Sequence, residues 1–577
     1  MAAITLPPAT EVLAFAAGQA WEKCTSASLI LAKLGLEPLW VTKSEAPAPL
    51  AAGDLVVSKS SKPNIRMFNS VARQLGLETV AVTTPSPIEA LCITPLKVAV
   101  YGGGGAPFNH AACLGELGFD VHFISPEEIH GGKLSGFHAV VVPGGGDLAM
   151  LGQLKPLGER GCLAIQRFVA DGGMYIGSCA GSFDAALTGD EFLRDCPYQR
   201  HLRMINAAVW NSGNDPMGLA SPGVGVIRSR IADRDHPVTA GLPAEIDMSH
   251  YNGPFFRLES GAVAGATDAV GLTMVVGARQ DFTAAEKFLT SEVLPQPLLI
   301  EKACAASVFN TVAGSFGKGR VVLFGSHPEF GLSLDLDKFG LPTRMLANAL
   351  LWQASHSERH SLKTPDAANN KVNTPLPQRE RIMRGVDDSV GLARKLLGRG
   401  EPRGNWLDEN LAMSTFGASS PKIWAHALAG FATVAARMRG SLDDLAELIS
   451  DAGDALKLNN ARSAAGLREA LRDFDNAIVH RVLPEAERDY GYEGLIELLD
   501  HTRSLLSRAD AAFDVHLQPH PDPYHYSSQS PFMLVAGSYL SAIGLFTSAH
   551  LLLRLHHSQI SDALVVVRAE EPGRGKF

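Results

Sequence analysis

The stretch that most restricts the fold is Met174-Tyr-Ile-Gly-Ser-Cys-Ala-Gly-Ser-Phe183. Met174 to Ile176 reads as a short buried strand, Gly177 to Gly181 as a tight turn, and Phe183 to Leu187 as the helix that the turn opens. Glycines on both sides of Cys179 permit a backbone conformation that a Cβ would oppose, and the helix N-terminus below favours negative charge. This is the pattern of a nucleophile elbow, with Cys179 held above the edge of a sheet as a candidate thiolate. A free thiol with a pKa of about 8.5 is only a few per cent ionised at neutral pH, so a working nucleophile needs a base from elsewhere in the chain.

Gly319-Arg-Val-Val-Leu-Phe-Gly-Ser-His-Pro-Glu-Phe330 supplies one. Val321 to Phe324 is an apolar, β-branched run of the kind found in central strands, and His327 follows it with Glu329 two residues on. A cysteine, a histidine after a strand and a carboxylate to orient the imidazole form a triad by role. Two glycine-rich turns follow other strands. One is Gly102 to Gly105 after Leu96-Lys-Val-Ala-Val-Tyr101, where Gly103 lies at the carboxyl end of a first strand, the edge at which open α/β sheets place ligands. The other is Gly144-Gly-Gly-Asp147 after His138 to Pro143. Glycine there lets backbone N–H groups approach a developing oxyanion.

Four motifs in order carry a family resemblance: Val140-Val-Val-Pro-Gly-Gly-Gly-Asp147, Tyr175-Ile-Gly-Ser-Cys-Ala-Gly181, His250-Tyr-Asn-Gly-Pro254 and Gly325-Ser-His-Pro-Glu-Phe330. Together they resemble the amidotransferase-like domain at the N-terminus of biotin-protein ligases, within the class I glutamine amidotransferase-like superfamily. Gly223-Val-Gly-Val-Ile-Arg228 and His236-Pro-Val-Thr-Ala-Gly-Leu-Pro243 resemble the same family. The resemblance implies a flavodoxin-like α/β fold and thiol chemistry on a carbonyl or amide. In it Cys179 is the nucleophile, His327 the general base and then acid, Glu329 the orienting carboxylate, and Gly145 and Ala180 the oxyanion hole. Tyr251 and Asn252 would wall the pocket. Ser182-Phe183 stand where glutamine-using members carry His-Gln, which leaves the acyl donor open. No Gly-Arg-Gly-Arg-type adenylate loop follows residue 355, so the resemblance does not extend to a biotin ligase.

At 577 residues the chain has material for three or four domains, and its net charge of −9 with no long basic run points away from nucleic acid. Seven cysteines without a CxxC pair argue against a disulfide framework or a zinc finger and for a reducing cytoplasm. No secretory signal is read at the N-terminus. His236 and His250 lack Cys, Asp or Glu at ligand spacing and are expected to be turn-capping or hydrogen-bonded residues. His516, His520 and His525 near Asp522 sit among prolines, as a loop and not a fixed metal site. Neither a metal nor a cofactor is expected.

The chain divides, on this reading, into a small α/β unit (1–95), an α/β domain of class I glutamine amidotransferase-like type (96–354), a polar linker (355–379) and an all-α helical bundle (380–577). In the first unit Glu11 to Ala16, Pro38 to Val41, Asp54 to Ser58 and Thr79 to Thr83 read as strands, with helices over Ala20 to Leu34 and Asn64 to Leu75. Arg194 to Ser260 reads as irregular, and Leu272 to Ala278 and Leu298 to Ala303 as strands. Ser420-Pro421 starts a helix to about Met438, and Ser441 opens another with a capping box; further helices follow from Ala461 and Pro484. The last, Pro531 to Leu555, is long enough to span a membrane, but its serines, glycines, His550 and Arg554 fit a buried central helix better. Membrane partnership is therefore not expected.

Two functional classes follow. One is a cysteine-dependent hydrolase or amidotransferase acting on a small-molecule or peptide amide, with the helical region open to a protein partner; the other is a non-catalytic binding or scaffold protein with a vestigial site. The division into domains predicts that limited proteolysis cuts first between residues 355 and 379, where little can be buried. An N-terminal fragment ending near residue 355 is the expected product by mass spectrometry, and a first cut inside 100–330 would contradict the division.

Overall fold

The computed structural model describes residues 4–44, 49–59, 62–144, 150–210, 224–251, 253–279, 297–330, 340–355, 378–400, 423–458, 463–479, 494–515 and 531–570. A six-stranded antiparallel sheet comes first, built from β1 (Ile4–Leu6), β2 (Glu11–Phe15), β3 (Leu39–Lys43), β4 (Leu55–Ser58), β5 (Thr79–Thr83) and β6 (Ile88–Cys92) in the order β1-β6-β3-β4-β2-β5. Two helices, α1 (Trp21–Lys33) and α2 (Lys62–Gln74), close one face around Ile30, Leu31, Phe68 and Val71. The strands and helices read from the alternation in this part are present. The short β1 and β6, which pair with each other, carried too little pattern to be read.

The second sheet has eleven strands. Its parallel part contains β7 (Lys97–Tyr101), β8 (Asp120–Ile124), β9 (Ala139–Val142), β10 (Met174–Ser178) and β17 (Gly319–Phe324), in the spatial order β8-β7-β9-β10-β17. By chain order among these five, that is 2-1-3-4-5, the flavodoxin-like form of a doubly wound sheet. All residues of β9 and β10 are buried, as expected of parallel strands covered on both faces. The helices interleaved with them are α3 (Pro107–Glu116), α4 (Pro126–His130), α5 (Met150–Ala170, kinked at Gly158), α6 (Ala180–Ala185) and α7 (Asp190–Asp195).

An antiparallel extension continues past β17 through β16 (Phe309–Phe316), β15 (Val270–Arg279), β12 (Val224–Ile231) and β13 (Glu245–Tyr251), with β11 (Ala207–Val209) and β14 (Phe256–Leu258) beside it. Here the sequence reading needs correction. The described part of residues 194–260 is not irregular but holds four strands. The Ile227-Arg-Ser-Arg-Ile231 alternation was obscured because Ser229 occupies a buried position, where its Oγ accepts from Asn310 Nδ2 at 3.2 Å. Leu298 to Ala303 is not a strand but part of α8 (Pro297–Ala305). Three apolar residues in a row do not distinguish the two states, and Pro297 at the first helical position favours the helix. After β17, α9 (Leu341–Ala354) packs against the sheet.

Beyond lie α10 (Arg379–Gly400), α11 (Ile423–Leu458), α12 (Ser463–Val479), α13 (Leu495–Val515) and α14 (Pro531–Glu570). The helix start expected at Ser441 is absent: α11 runs through it without a break. Phe431, Val434, Ala435, Met438, Leu442, Leu445, Ile449 and Ala452 form one buried stripe at helical spacing, which outweighs a local capping signal. The expected start at Ser420-Pro421 and the cluster of His516, His520 and His525 lie outside the described residues. No helix among the described residues is long and apolar enough to cross a membrane.

Helix α14 joins the three parts. Its Leu555 lies on Gly115 of α3, where an added Cβ would stand 2.6 Å from Leu555 Cδ1. Arg554 forms a two-pronged pair with Glu116, one arm at 2.7 Å, and Gln559 Nε2 donates to Val121 O at 2.8 Å. Further on, Val565 and Ala569 enter the core between α1 and α2. Asp562 faces this junction, 3.4 Å from Ser26 Oγ, and burial raises its carboxyl to about 6 against the opposing pull of Lys33 and Ser26. Because the folded value lies above the ordinary one, the folded state keeps a proton that the unfolded chain releases between about pH 4 and 6, and stability falls as pH rises through that window. The side chain is half-buried, so water screens part of the effect. Asp562→Asn should therefore gain on the order of 1 kcal/mol at pH 8 and nothing below pH 4, read from urea unfolding at the two pH values.

Candidate active site

Parallel register places three loops at one edge of the sheet. Gly177 is level with Val142 of β9 and with Leu323 of β17, and Ser178 is level with Phe324. The residues that follow, Cys179, Pro143-Gly144 and Gly325 to His327, therefore leave adjacent strands side by side. Cys179 adopts φ 51° and ψ −111°, and its N–H donates to Phe324 O at 2.8 Å. A non-glycine residue in such a conformation costs on the order of 1 to 3 kcal/mol and persists only where its surroundings enforce it. Those surroundings are visible. Ser182 Oγ donates to Phe324 O at 2.6 Å, Tyr175 Oη donates to Gly181 O at 2.6 Å, and Ser182 and Phe183 N–H groups both bond Cys179 O at 3.1 Å. Glycine is needed at 181, because an added Cβ there would lie 2.1 Å from Val142 O.

His327 is fixed from three sides. Its backbone N–H donates to Ser249 O at 2.8 Å, its Nδ1 lies 2.7 Å from Glu329 Oε1, and its ring stacks on Phe330 with centroids 4.6 Å apart and planes at 10°. Glu329 belongs to a short 3-10 turn, Pro328–Phe330, which is tied down by Thr343 Oγ1 donating to Pro328 O at 3.0 Å. Burial lowers the affinity of the imidazole for a proton, but the Glu329 carboxylate bonded to its Nδ1 and the neighbouring Cys179 more than reverse this and raise His327 to about 10. Burial likewise pushes Glu329 up, and the two histidines beside it, His110 and His327, bring it below the ordinary carboxylate range. The pair thus favours an imidazolium held against a carboxylate.

Of the residues singled out in the sequence, Cys179, His327 and Glu329 stand together, and Ala180 follows Cys179 as the first residue of α6. At Gly103 an added Cβ would meet Tyr101 Oη and Pro126. The backbone of Tyr251 ends β13, while Gly145 and Asn252 lie outside the described residues. His250 is a buried, hydrogen-bonded histidine, with Nδ1 2.9 Å from Ser326 Oγ, and His236 caps a turn by accepting from Val238 N–H at 3.2 Å. Among the described residues no group of three His, Cys, Asp or Glu side chains could hold a metal ion.

Sequence reasoning passed over four contributors. Gly144 touches both partners: a Cβ there would lie 2.5 Å from His327 Cε1 and 2.6 Å from Cys179 Cβ. Phe330 stacks on the imidazole, and His110 of α3 reaches Glu329 from the far side, its Nε2 3.3 Å from Oε2. Asp184 lies fully buried in α6, and burial first, with Cys179 beside it, raises its carboxyl well above the ordinary range. Gly144 and Phe330 were within quoted motifs. His110 and Asp184 carried no local signal, since only the fold brings them to the site.

Comparison with known proteins bears on the fold. Residues 118–192 match the family Biotin-protein ligase, N terminal. The matched span runs from the start of β8 past Cys179 and stops well before His327. None of the curated proteins compared matches the chain. Among solved structures, it is similar to a candidate GMP synthase component from Thermoplasma acidophilum, with 15% identity, 45% of this chain and 94% of that chain covered, and a TM-score of 0.26. It is also similar to a ThuA-like protein from Bacteroides uniformis, at 12% identity, 45% and 91% coverage and a TM-score of 0.28. A cytoplasmic protein from Salmonella typhimurium gives 12%, 44% and 98%, and 0.28.

The close approach at Gly144 yields a test that needs no substrate. Gly144→Ala inserts a methyl group between Cys179 and His327, and a displacement of about 1 Å in such a set can cost on the order of a hundredfold. The variant should fold, by circular dichroism, and its Cys179 should be alkylated by iodoacetamide at least roughly tenfold more slowly than in the wild type.

Proposed function

We propose that this protein is a cysteine-dependent hydrolase or amidotransferase acting on an amide or acyl carbonyl, with Cys179, His327 and Glu329 as its triad and the strained turn at Cys179 as a nucleophile elbow. The observation that carries the reading is one buried cluster in which the Glu329 carboxylate lies 2.7 Å from His327 Nδ1 and Gly144 packs against both the His327 ring and Cys179 Cβ. A vestigial scaffold has no physical need of a charged carboxylate, a raised imidazole and a cysteine held at positive φ in one buried place.

The chemistry follows from the geometry. Cys179 Sγ⁻ attacks the carbonyl carbon, and the C=O π pair moves to oxygen. Backbone N–H groups of Ala180 and Gly145 are the proposed donors to that oxyanion. His327 Nε2–H gives its proton to the departing amine as the C–N bond breaks, which leaves a thioester and a neutral imidazole. A water, or an acceptor amine, then attacks the thioester carbon while His327 takes a proton from it, and cleavage of the C–S bond returns the thiolate and the imidazolium. Glu329 keeps the Nδ1–H tautomer and stabilises the positive ring, without accepting the proton itself. Gly103, Tyr251 and Asn252 are proposed for the substrate side, and the helical region, following the division at 355–379, for a protein partner. A cytoplasmic setting belongs to the same proposal, since a reactive thiolate is preserved in a reducing compartment.

Turnover of a panel of amides and esters, with glutamine included, tests the reading. Cys179→Ala should lower any turnover by up to about a million-fold and His327→Ala by a similar factor, with little added in the double variant because the two act as one unit. Glu329→Gln should be milder. A wild type whose Cys179 labels no faster than the other six cysteines would favour the scaffold, and turnover that survives His327→Ala would remove His327 as the base.

A further inference from the structure

The Glu329 carboxylate is buried, and only one of its oxygens is engaged by His327. A buried anion needs both oxygens compensated, since its desolvation is only partly offset by a single partner. Oε2 makes no linear hydrogen bond among the described residues, but His110 Nε2 stands 3.3 Å from it. His110 is fully buried on α3, and the same Nε2 lies 2.9 Å from Ser178 Oγ, the residue immediately before Cys179. Its Nδ1 has no hydrogen-bond partner among the described residues. A bare nitrogen lone pair facing a carboxylate oxygen at this distance would be repelled, so the neutral ring carries its proton on Nε2 and leaves Nδ1 as the bare acceptor. Two imidazoliums on one carboxylate would repel each other, and burial, with the charge of His327, lowers His110 below the ordinary value despite Glu329. His327 thus holds the charge and His110 the neutral dipole.

Resting on the triad reading above, we propose that His110 is a positioning residue: it holds the second oxygen of Glu329 from behind and, through Ser178, ties that carboxylate to the strand that delivers Cys179. Without it Glu329 is free to turn away from Nδ1, and the support that keeps His327 protonated weakens. The titratable groups facing the His327 and Glu329 pair are Cys179, His110, Cys113 and His250. Cys113 and His250 remain uncharged near neutrality, because burial raises the thiol and lowers the imidazole to about 3. A change at His110 is therefore read at His327 and its neighbour Cys179, and not through Cys113 or His250.

The test is an NMR titration of 13C-labelled histidines in the full chain, with the His327 signal assigned by its loss in His327→Gln, run beside the pH profile of Cys179 alkylation by iodoacetamide. In His110→Ala the midpoint of His327 should fall by about one pH unit, and the limb of the alkylation profile that follows His327 should move down with it. His110→Gln, whose amide N–H can take the place of Nε2–H, should restore both. His110→Asn, too short to reach, serves as the second deletion should the alanine variant fail to fold. An unchanged His327 midpoint in the folded deletion variant overturns the inference, as does a glutamine variant as impaired as the deletion. Because the ring titration is independent of turnover, a shifted midpoint with an unreactive Cys179 in the wild type would sink the triad reading and leave the positioning role standing.

Discussion

The candidate site depends on β10 being paired in parallel on both sides, with β9 along one edge and β17 along the other. Parallel pairing sends three chains out of the sheet at the same edge, within the roughly 5 Å spacing of neighbouring strands. The first delivers Gly144, the second Cys179 and the third His327. Had β17 been antiparallel to β10, its loop would have emerged at the opposite edge. The buried, β-branched character of β9 and β17 is thus a condition for the chemistry as well as for the core.

Glycine and burial then convert proximity into geometry. At 144 and 181 a side chain would occupy space already taken by His327, Cys179 and Val142. Closeness of this kind excludes water, so the attraction between the His327 ring and the Glu329 carboxylate is stronger than at a surface. The same exclusion makes every unsupported charge expensive. That is why Asp184 is held neutral and His250 uncharged, while only the groups in mutual contact carry charge.

Much of this was legible from the residues, and the limits have physical reasons. The turn at Cys179, the strand before His327 and the glycine run at 144 are local patterns, and local patterns decide local structure. The strands between 194 and 260 were hidden because a polar residue such as Ser229 can occupy a core position when a distant amide, here Asn310, satisfies it. Leu298 to Ala303 was misread because an apolar run has no period to read. Ser441 was misread as a helix start because a capping box is weaker than a stripe of buried residues that runs straight through it. His110 could not be found at all: it lies 68 residues from Ser178, and only the pairing of β7, β9 and β10 brings α3 over the site.

The path of α14 bears on how the chain is made. Ser26 and Asp562 are separated by 536 residues, and Val565 and Ala569 complete the core that α1 and α2 begin. During synthesis the first sheet emerges early and keeps an apolar flank open until the last helix leaves the ribosome, a long wait for a surface built from Ile30, Leu31 and Phe68. Vectorial folding therefore cannot finish at the N-terminus first. The first sheet and helix α14 complete one core together, and nascent chains that stop short of residue 565 leave that apolar flank uncovered.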